Sequence, residues 1–425
     1  MSEKDKHING PINVVRLEGT VFDIKKVLYV FMDYHSPVCA QSQCDDPLSD
    51  DIKKYMTENF MNIEKQKKDK MYDLFYEVFP THTSRKLSKI KGRYIDEIFR
   101  LFGDQFNYDE KNDKVLPSKI FSHVRFHYID IRDYFYHFIW PILTDLVSFS
   151  RTLYSNMNIY PNDIKYIDEK LRIVEGEIVH TYDILFSDGK YKPKKVKENK
   201  EKKGGAKATA PITEQSYEEQ LKNFTNKILN RYNHEEVKKV INDFLNDYVK
   251  YKFDVALDTI IKLRDKLPNY FADMNMPNDK LAIRKDDTNS AHKYGWGPDF
   301  KTMRNIIGDL YDMISILDNE VSLAFLTIMD IYFLRRFLDK DYITNGITYT
   351  GILHSMTYVY ILIKYFGFEI TNFSYSSEKN IKQLNKKVKN IPVDNFKKDY
   401  DINDLFYPEI LVQCSNLSDF PKNFN

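Results

Sequence analysis

The stretch Val27-Leu28-Tyr29-Val30-Phe31-Met32 is apolar or aromatic at every position and breaks without transition into Asp33-Tyr34-His35-Ser36-Pro37. A run that is apolar on both faces suits a strand covered on both sides, as in a parallel sheet. The residues around it repeat the theme. Val14–Leu17 is a short strand candidate before it. After it, Ser49 is a plausible N-cap, with Asp50 and Asp51 in a favourable first turn, for a helix running to about residue 66. Residues 72–79 read as a second strand ended by Pro80, with Thr83 or Ser84 capping a helix to about Phe102. Residues 123–130 read as a third strand. A helix over about 132–154 follows, which Pro141 either kinks or starts. Pro161 opens another helix, to about Leu185. This alternation predicts right-handed βαβ units and an α/β fold: a mainly parallel sheet flanked by helices.

The pattern changes at residues 190–216. Lys190 to Lys207 holds nine lysines, followed by an Ala/Gly/Thr/Pro stretch. Such a segment cannot bury enough apolar surface to offset its ordering entropy, so a disordered lysine-rich loop is expected. A lysine run can also be a localisation signal or an RNA-binding tail, but the acidic residues flanking it favour a solvated loop. Residues 217–266 carry helical periodicity, as at Val240, Phe244 and Tyr248. A loop or lid is expected over 267–298. Helices follow over 303–317 and 321–338, the second apolar nearly all round. Ile347–Gly351 is a short β-branched strand that runs into a helix to about Tyr365, and 368–373 is a last strand. The expected organisation is therefore a tail (1–10), an α/β domain in two parts (11–189 and 341–375), the lysine-rich linker (190–216), a large helical insertion (217–340) and a C-terminal extension (376–425).

Bulk composition excludes several classes. Lys and Arg total 63 against 62 Asp and Glu, so no global field favours nucleic acid or an acidic membrane. No apolar stretch approaches the ~20 residues that a membrane-spanning helix needs. Three cysteines, Cys39, Cys44 and Cys414, are too few for a disulfide framework and fit a reducing compartment, so a cytoplasmic protein, or one assembled inside a cell, is expected. The 31 tyrosines are compatible with an oligomer. No Gly-rich phosphate loop, Gly-x-Ser-x-Gly elbow or His-Glu-x-x-His motif occurs, which argues against P-loop NTPases, ordinary α/β-hydrolases and zincins.

Ligands of parallel sheets bind beyond the carboxyl ends of the strands. Those ends carry Asp33 and His35, Glu77 and His82, Asp130 and Arg132, and Gly351 and His354. This set suits hydrolysis in either of two ways. His35, His354 and Glu77 could hold one divalent metal ion that activates water. Alternatively a His/Glu pair could act directly on water while Arg132 steadies a developing oxyanion. Against these stand plainer accounts: an Asp130–Arg132 salt bridge, His127 as a core residue, and Asp330 with Arg335 or Arg336 as a structural ion pair in the buried helix. His35-x3-Cys39-x4-Cys44 has metal-like spacing but lacks a fourth ligand.

An acidic-x-His step after an early strand, a strand-borne Glu, a later Arg and a late Gly-x-x-His together resemble the erythromycin-esterase-like and TraB-like hydrolase superfamily. The late motif, Gly351-Ile352-Leu353-His354, is intact. The early Gly-Glu-x-His appears as Met32-Asp33-Tyr34-His35, with both Gly and Glu replaced. The resemblance implies catalytic roles for His35, Glu77, Arg132 and His354. Asp33 stands for the usual Glu, and Asp33, His82, Asp130 and Gly351 would line the substrate. The overall style also resembles uncharacterised proteins of mimivirus-like giant DNA viruses. Two readings follow: a hydrolase acting on a small molecule or peptide, or a structural or interaction protein that keeps a hydrolase-like fold without its activity.

Overall fold

The computed structural model describes residues 6–36, 43–66, 70–79, 93–109, 112, 114–156, 158–186, 225–230, 232–274, 300–396 and 401–424. In chain order the elements are β1 (His7–Asn9), β2 (Asn13–Val21), β3 (Ile24–Asp33), β4 (Asp50–Asp51), α1 (Ile52–Gln66), β5 (Tyr72–Tyr76), α2 (Tyr94–Gly103), β6 (Tyr108–Asp109), β7 (Lys114–Val115) and β8 (Val124–Tyr128). A π-helical turn (Phe135–Ile139) runs into α3 (Trp140–Asn156), followed by α4 (Pro161–Phe186) and α5 (Glu235–Phe244). A second π-helical turn (Leu245–Lys250) runs into α6 (Tyr251–Met274). Then come α7 (Phe300–Asp339), β9 (Asn345–Gly351), α8 (Ile352–Phe366), β10 (Glu369–Phe373), α9 (Ile381–Asn390), α10 (Val393–Phe396), α11 (Asn403–Phe406) and β11 (Cys414–Asn416). Two compact units result. The first comprises 1–131, 232–242 and 329–425; the second comprises 132–231 and 243–328.

The first unit is built on a six-stranded sheet of order β10-β2-β3-β9-β5-β8. The β3–β9, β9–β5 and β5–β8 pairs are parallel, whereas β10–β2 and β2–β3 are antiparallel. The sheet is therefore mixed, with three parallel and two antiparallel pairings, and the expectation of a mainly parallel sheet is not confirmed. The departure lies at β2–β3, where Val21 pairs with Ile24 across the two-residue turn Phe22-Asp23. Both turn residues have positive φ, 50° and 62°, as a type I′ hairpin requires. Neither is Gly or Asn, so the usual hairpin signal is missing.

One face of the sheet carries Tyr29, Phe31, Tyr76, Ile347 and Tyr349 into a core with α1 and α2. Phe424, 1% exposed, reaches this core from the C-terminal extension, with ring centroids 5.1 Å from Tyr29 and 5.7 Å from Tyr55. Each such fully buried ring contributes roughly 1.5–3 kcal/mol of burial. The other face meets α8, buried along nearly its whole length, and the end of α7, where Phe333 lies 4.9 Å from Phe75 and 4.2 Å from Tyr358. Lys26 is 1% exposed, and its ammonium donates to the carbonyls of Phe337, Lys340 and Ile343, closing the C-terminal end of α7.

The second unit is helical. Arg264 of α6 pairs with Asp168 and Glu175 of α4, both at 3.0 Å, and Phe135 stacks on Phe325 at 4.8 Å.

Several local expectations also shift. α1 starts at Ile52, because Asp50 and Asp51 pair with Ile8 and Asn9 in a small sheet and Asp51 Oδ1 caps Lys53 N–H at 2.8 Å. β5 stops at Tyr76, where Val78 N–H turns back to the Tyr76 carbonyl at 2.9 Å. The two helices expected over 303–338 are the single α7, since nothing between them breaks a helix. α6 continues through Pro268 to Met274. The expected lysine-rich loop over 190–216, the N-terminal part of the helix expected from 83 and residues 275–299 of the expected lid lie outside the described residues. Cys44 and Cys414 form a disulfide, which the low, odd cysteine count did not lead one to expect. Their separation of 370 residues gave no hint of the pairing. It also removes Cys44 from any metal set with His35. Among the described residues no helix is long and apolar enough to cross a membrane.

Candidate active site

The parallel strands β3, β9 and β5 lie side by side, and their carboxyl ends deliver Asp33 and His35, Gly351 and His354, and Glu77 to one place. Asp33 is the last residue of β3, and its side chain is fully buried. It accepts from the Tyr349 hydroxyl at 3.1 Å, Gln413 Nε2 at 3.4 Å and the His35 amide at 3.1 Å. His35 Nδ1 lies 2.6 Å from Asp33 Oδ2, and His35 Nε2 lies 3.3 Å from Glu77 Oε2. His354, in the first turn of α8, has the same arrangement. Its Nδ1 is 2.6 Å from Asp330 Oδ1 of α7, and its Nε2 is 3.1 Å from Glu77 Oε1. That last pairing is an ion pair off the line of a hydrogen bond.

The result is a chain of five groups in the order Asp33, His35, Glu77, His354, Asp330. Burial grades it: the side chains of His354 and Asp330 are 3% and 2% exposed, whereas that of His35 is 32% exposed. His35 is thus the end that solvent reaches. Its backbone has φ 45°, the left-handed region that costs a residue with a side chain of order 1–3 kcal/mol and is concentrated at functional sites. Gly351 makes room for the ring. A Cβ there would stand 3.0 Å from His35 Nε2 and 3.4 Å from Glu77 Oε2, and the Gly351 amide donates to Glu77 Oε2 at 2.7 Å.

The electrostatics follow. Burial alone would lower the His35 pKa, but the carboxylates of Glu77 and Asp33 outweigh it and raise it to about 10. Burial would likewise lower that of His354, and Glu77 and Asp330 raise it to about 9. Burial pushes Glu77 upward, yet the two imidazoliums hold it well below the usual carboxylate range. At neutral pH the array holds two protonated rings around one ionised carboxylate.

His35, Glu77, His354, Asp33 and Gly351 thus come together. His82 lies outside the described residues. Asp130 is buried beyond β8. Arg132 begins the second unit, where its guanidinium stacks on Tyr136 at 5.4 Å. Asp330 was readable in the sequence as a carboxylate inside an apolar helix, but its partner is His354 and not the neighbouring arginines alone. Tyr349 and Gln413 carried no signal. Nor did Arg93, which Asp96 grips at 2.8 and 3.0 Å. That hydrogen-bonded pairing, against burial, chiefly raises its pKa, with Asp33 and Glu77 adding to the rise. His127, read as a core residue, is tied by Nε2 to the buried Asp73 at 2.7 Å, with Arg125 on the same carboxylate.

The metal set His35, His354 and Glu77 finds no support in the geometry. Among the described residues no group of three or more His, Cys, Asp or Glu side chains could hold a metal ion. The two Nε2 atoms face different oxygens of Glu77, at 3.3 and 3.1 Å. Both Nδ1 atoms are already taken by aspartates.

Fold and site define an α/β protein with a mixed six-stranded sheet and a histidine–carboxylate array beyond its parallel strands. The chain belongs to a family described as a family of unknown function, DUF5847, whose model matches residues 6–425. It is 35% identical to the "Uncharacterized protein R706" of Acanthamoeba polyphaga mimivirus, an alignment covering 100% of this chain and 98% of that protein. It is 32% identical to "Uncharacterized protein R161" of the same virus, over 100% of both chains. It is also 32% identical to "Uncharacterized protein R160", over 99% of this chain and 97% of that one. The resemblance to giant-virus proteins holds. None of these relatives carries the name of a hydrolase, so that resemblance rests on its four short segments. No solved structure matches the chain.

Proposed function

We propose that the chain is a hydrolase whose acid–base apparatus is His35, Glu77 and His354, positioned by Asp33 and Asp330, acting on a small molecule or peptide without a metal. The observation that carries the reading is the convergence of both Nε2 atoms on Glu77, at 3.3 and 3.1 Å. His35 is the reachable acid. Its Nε2 proton passes to the leaving group as water attacks the substrate carbonyl. Glu77 takes the proton that the water gives up, its own charge balanced by the buried His354 imidazolium. Asp33 keeps the His35 ring aligned and stabilises its charge. Arg132 has no role in this scheme, and Arg93 is the cation whose charge Asp33 and Glu77 feel.

A second reading is favoured by one observation: all four ring nitrogens already face a carboxylate, as they would in a brace whose only task is to hold α7, α8 and the strand ends together. That is the non-catalytic viral structural or interaction protein. A panel of chromogenic esters, lactones and peptides, assayed with and without a chelator, separates the two. Hydrolysis that survives chelation and falls roughly 100-fold or more in His35→Gln and Glu77→Gln supports the enzyme. No turnover in the wild type, or equal turnover in the variants, leaves the brace.

A further inference from the structure

The cysteines sit beside the array. Cys414 is the first residue of β11 and pairs with Asn9 of β1, while the Cys44 amide donates to the Asn9 side chain at 2.7 Å. The residue before Cys414 is Gln413, 3% exposed. Its carbonyl accepts from the Gly10 amide at 3.0 Å, and its side-chain amide reaches the Gly10 carbonyl at 3.2 Å and Asp33 Oδ1 at 3.4 Å. Asp33 in turn holds both the ring and the amide of His35. The disulfide is therefore one residue away from a side chain that touches the carboxylate orienting the exposed end of the array. Apart from that bond, β11 is held by a three-residue ladder to β1, by the Ser415 hydroxyl donating to the Pro11 carbonyl at 2.9 Å and by the Leu417 amide donating to the Lys6 carbonyl at 2.7 Å. Both cysteines are only half-buried, within reach of a small reductant.

We propose that the Cys44–Cys414 disulfide is a redox tether on this site: oxidised, it holds Gln413 against Asp33 and so fixes His35; reduced, it lets both go. The reductant is a dithiol. One of its thiolates attacks a sulfur of the bridge to form a mixed disulfide, releasing the other cysteine as a thiolate that takes up a proton. The second thiol then resolves the mixed disulfide. Two electrons pass to the protein, two cysteine thiols form, and the dithiol leaves as its own disulfide. The tether does not depend on the hydrolase reading, because its readout is local order and not turnover.

The test uses the full chain in three forms: as purified under air, treated with dithiothreitol, and as a Cys44→Ser/Cys414→Ser variant. Thiol alkylation under denaturing conditions comes first. One alkylated cysteine before reduction and three after is expected; three before reduction overturns the tether. Amide hydrogen exchange is then read peptide by peptide. Reduction should speed exchange at 33–36 and 410–416 tenfold or more and leave 27–32 in β3 unchanged, and the variant should match the reduced form whether or not dithiothreitol is present. Equal exchange in both redox forms overturns the proposal. So does uniform loosening of the whole first unit, which would make the bond a general staple. If the variant does not fold, the reduced wild type alone supplies the comparison.

Discussion

Asp330, buried in the last third of α7, holds Nδ1 of His354 at 2.6 Å across a helix–helix packing, although the two residues are 24 positions apart. Neither side chain is more than 3% exposed, so solvent can compensate neither charge. Removing one partner takes a buried charge's nearest counter-charge away, a loss of up to about 3–5 kcal/mol where no other partner compensates, and His354 keeps Glu77. Asp330→Ala and His354→Ala should each lower the unfolding free energy in urea by up to that amount. The double variant should lose clearly less than their sum. Additive losses would mean that the two side chains do not interact.

The array also predicts a pH profile. The folded pKa values of His35 and His354 are raised, to about 10 and about 9, above the ordinary 6.5. The stability they contribute is therefore complete below the unfolded value and is lost as pH rises through 9 and 10. Glu77 is depressed, so its contribution is present above its ordinary 4.5 and is lost as pH falls through its folded value. The melting temperature of the wild type should fall as pH rises from about 6.5 to about 10. A His35→Gln/His354→Gln variant should show a flatter alkaline limb. Titration of either ring near 6.5 in histidine NMR spectra would contradict the geometry.

Gly351 is confined by the ring it faces. Its backbone, with φ −54° and ψ 149°, accepts any residue, so Gly351→Ala adds no backbone strain. Its methyl group would press on His35 Nε2 from 3.0 Å. Stability should change little, since the His35 side chain is 32% exposed and can shift toward solvent. If the site is catalytic, activity should fall roughly 10- to 100-fold, because misplacements of about 1 Å cost that much. Unchanged turnover with an unmoved His35 resonance would show that the ring has slack.

The β2–β3 turn stores strain that a single change relieves. Asp23 sits at φ 62°, whereas Phe22 is stacked on His234 at 3.9 Å and should be kept. Asp23→Gly removes the steric cost of the left-handed conformation at a site where glycine is native to the turn type. A gain of up to about 1 kcal/mol in unfolding free energy is expected, the favourable conformation outweighing glycine's greater unfolded-state entropy. A loss of stability would mean that the Asp23 side chain contributes more than its backbone costs.

The sequence by itself determined the pieces. The apolar run ending at Asp33 suited a strand covered on both faces. The abrupt polar residues after three such strands, His35, Glu77 and His354, marked the shared end of the sheet, because side chains there need not pack. The apolar helix ending near Asp339 was readable for the same reason. What local pattern could not carry was pairing. Phe22-Asp23 has no turn signature, so the antiparallel hairpin, and with it the mixed sheet, depends on how β2 packs. Asp330 and His354, Cys44 and Cys414, and Gln413 and Asp33 lie far apart in sequence, and only the folding of α7, α8 and the C-terminal extension onto the strand ends brings them together. Tertiary structure also placed Glu77 between the two rings, with one of its oxygens facing Nε2 of each, which side-chain identities alone could not show.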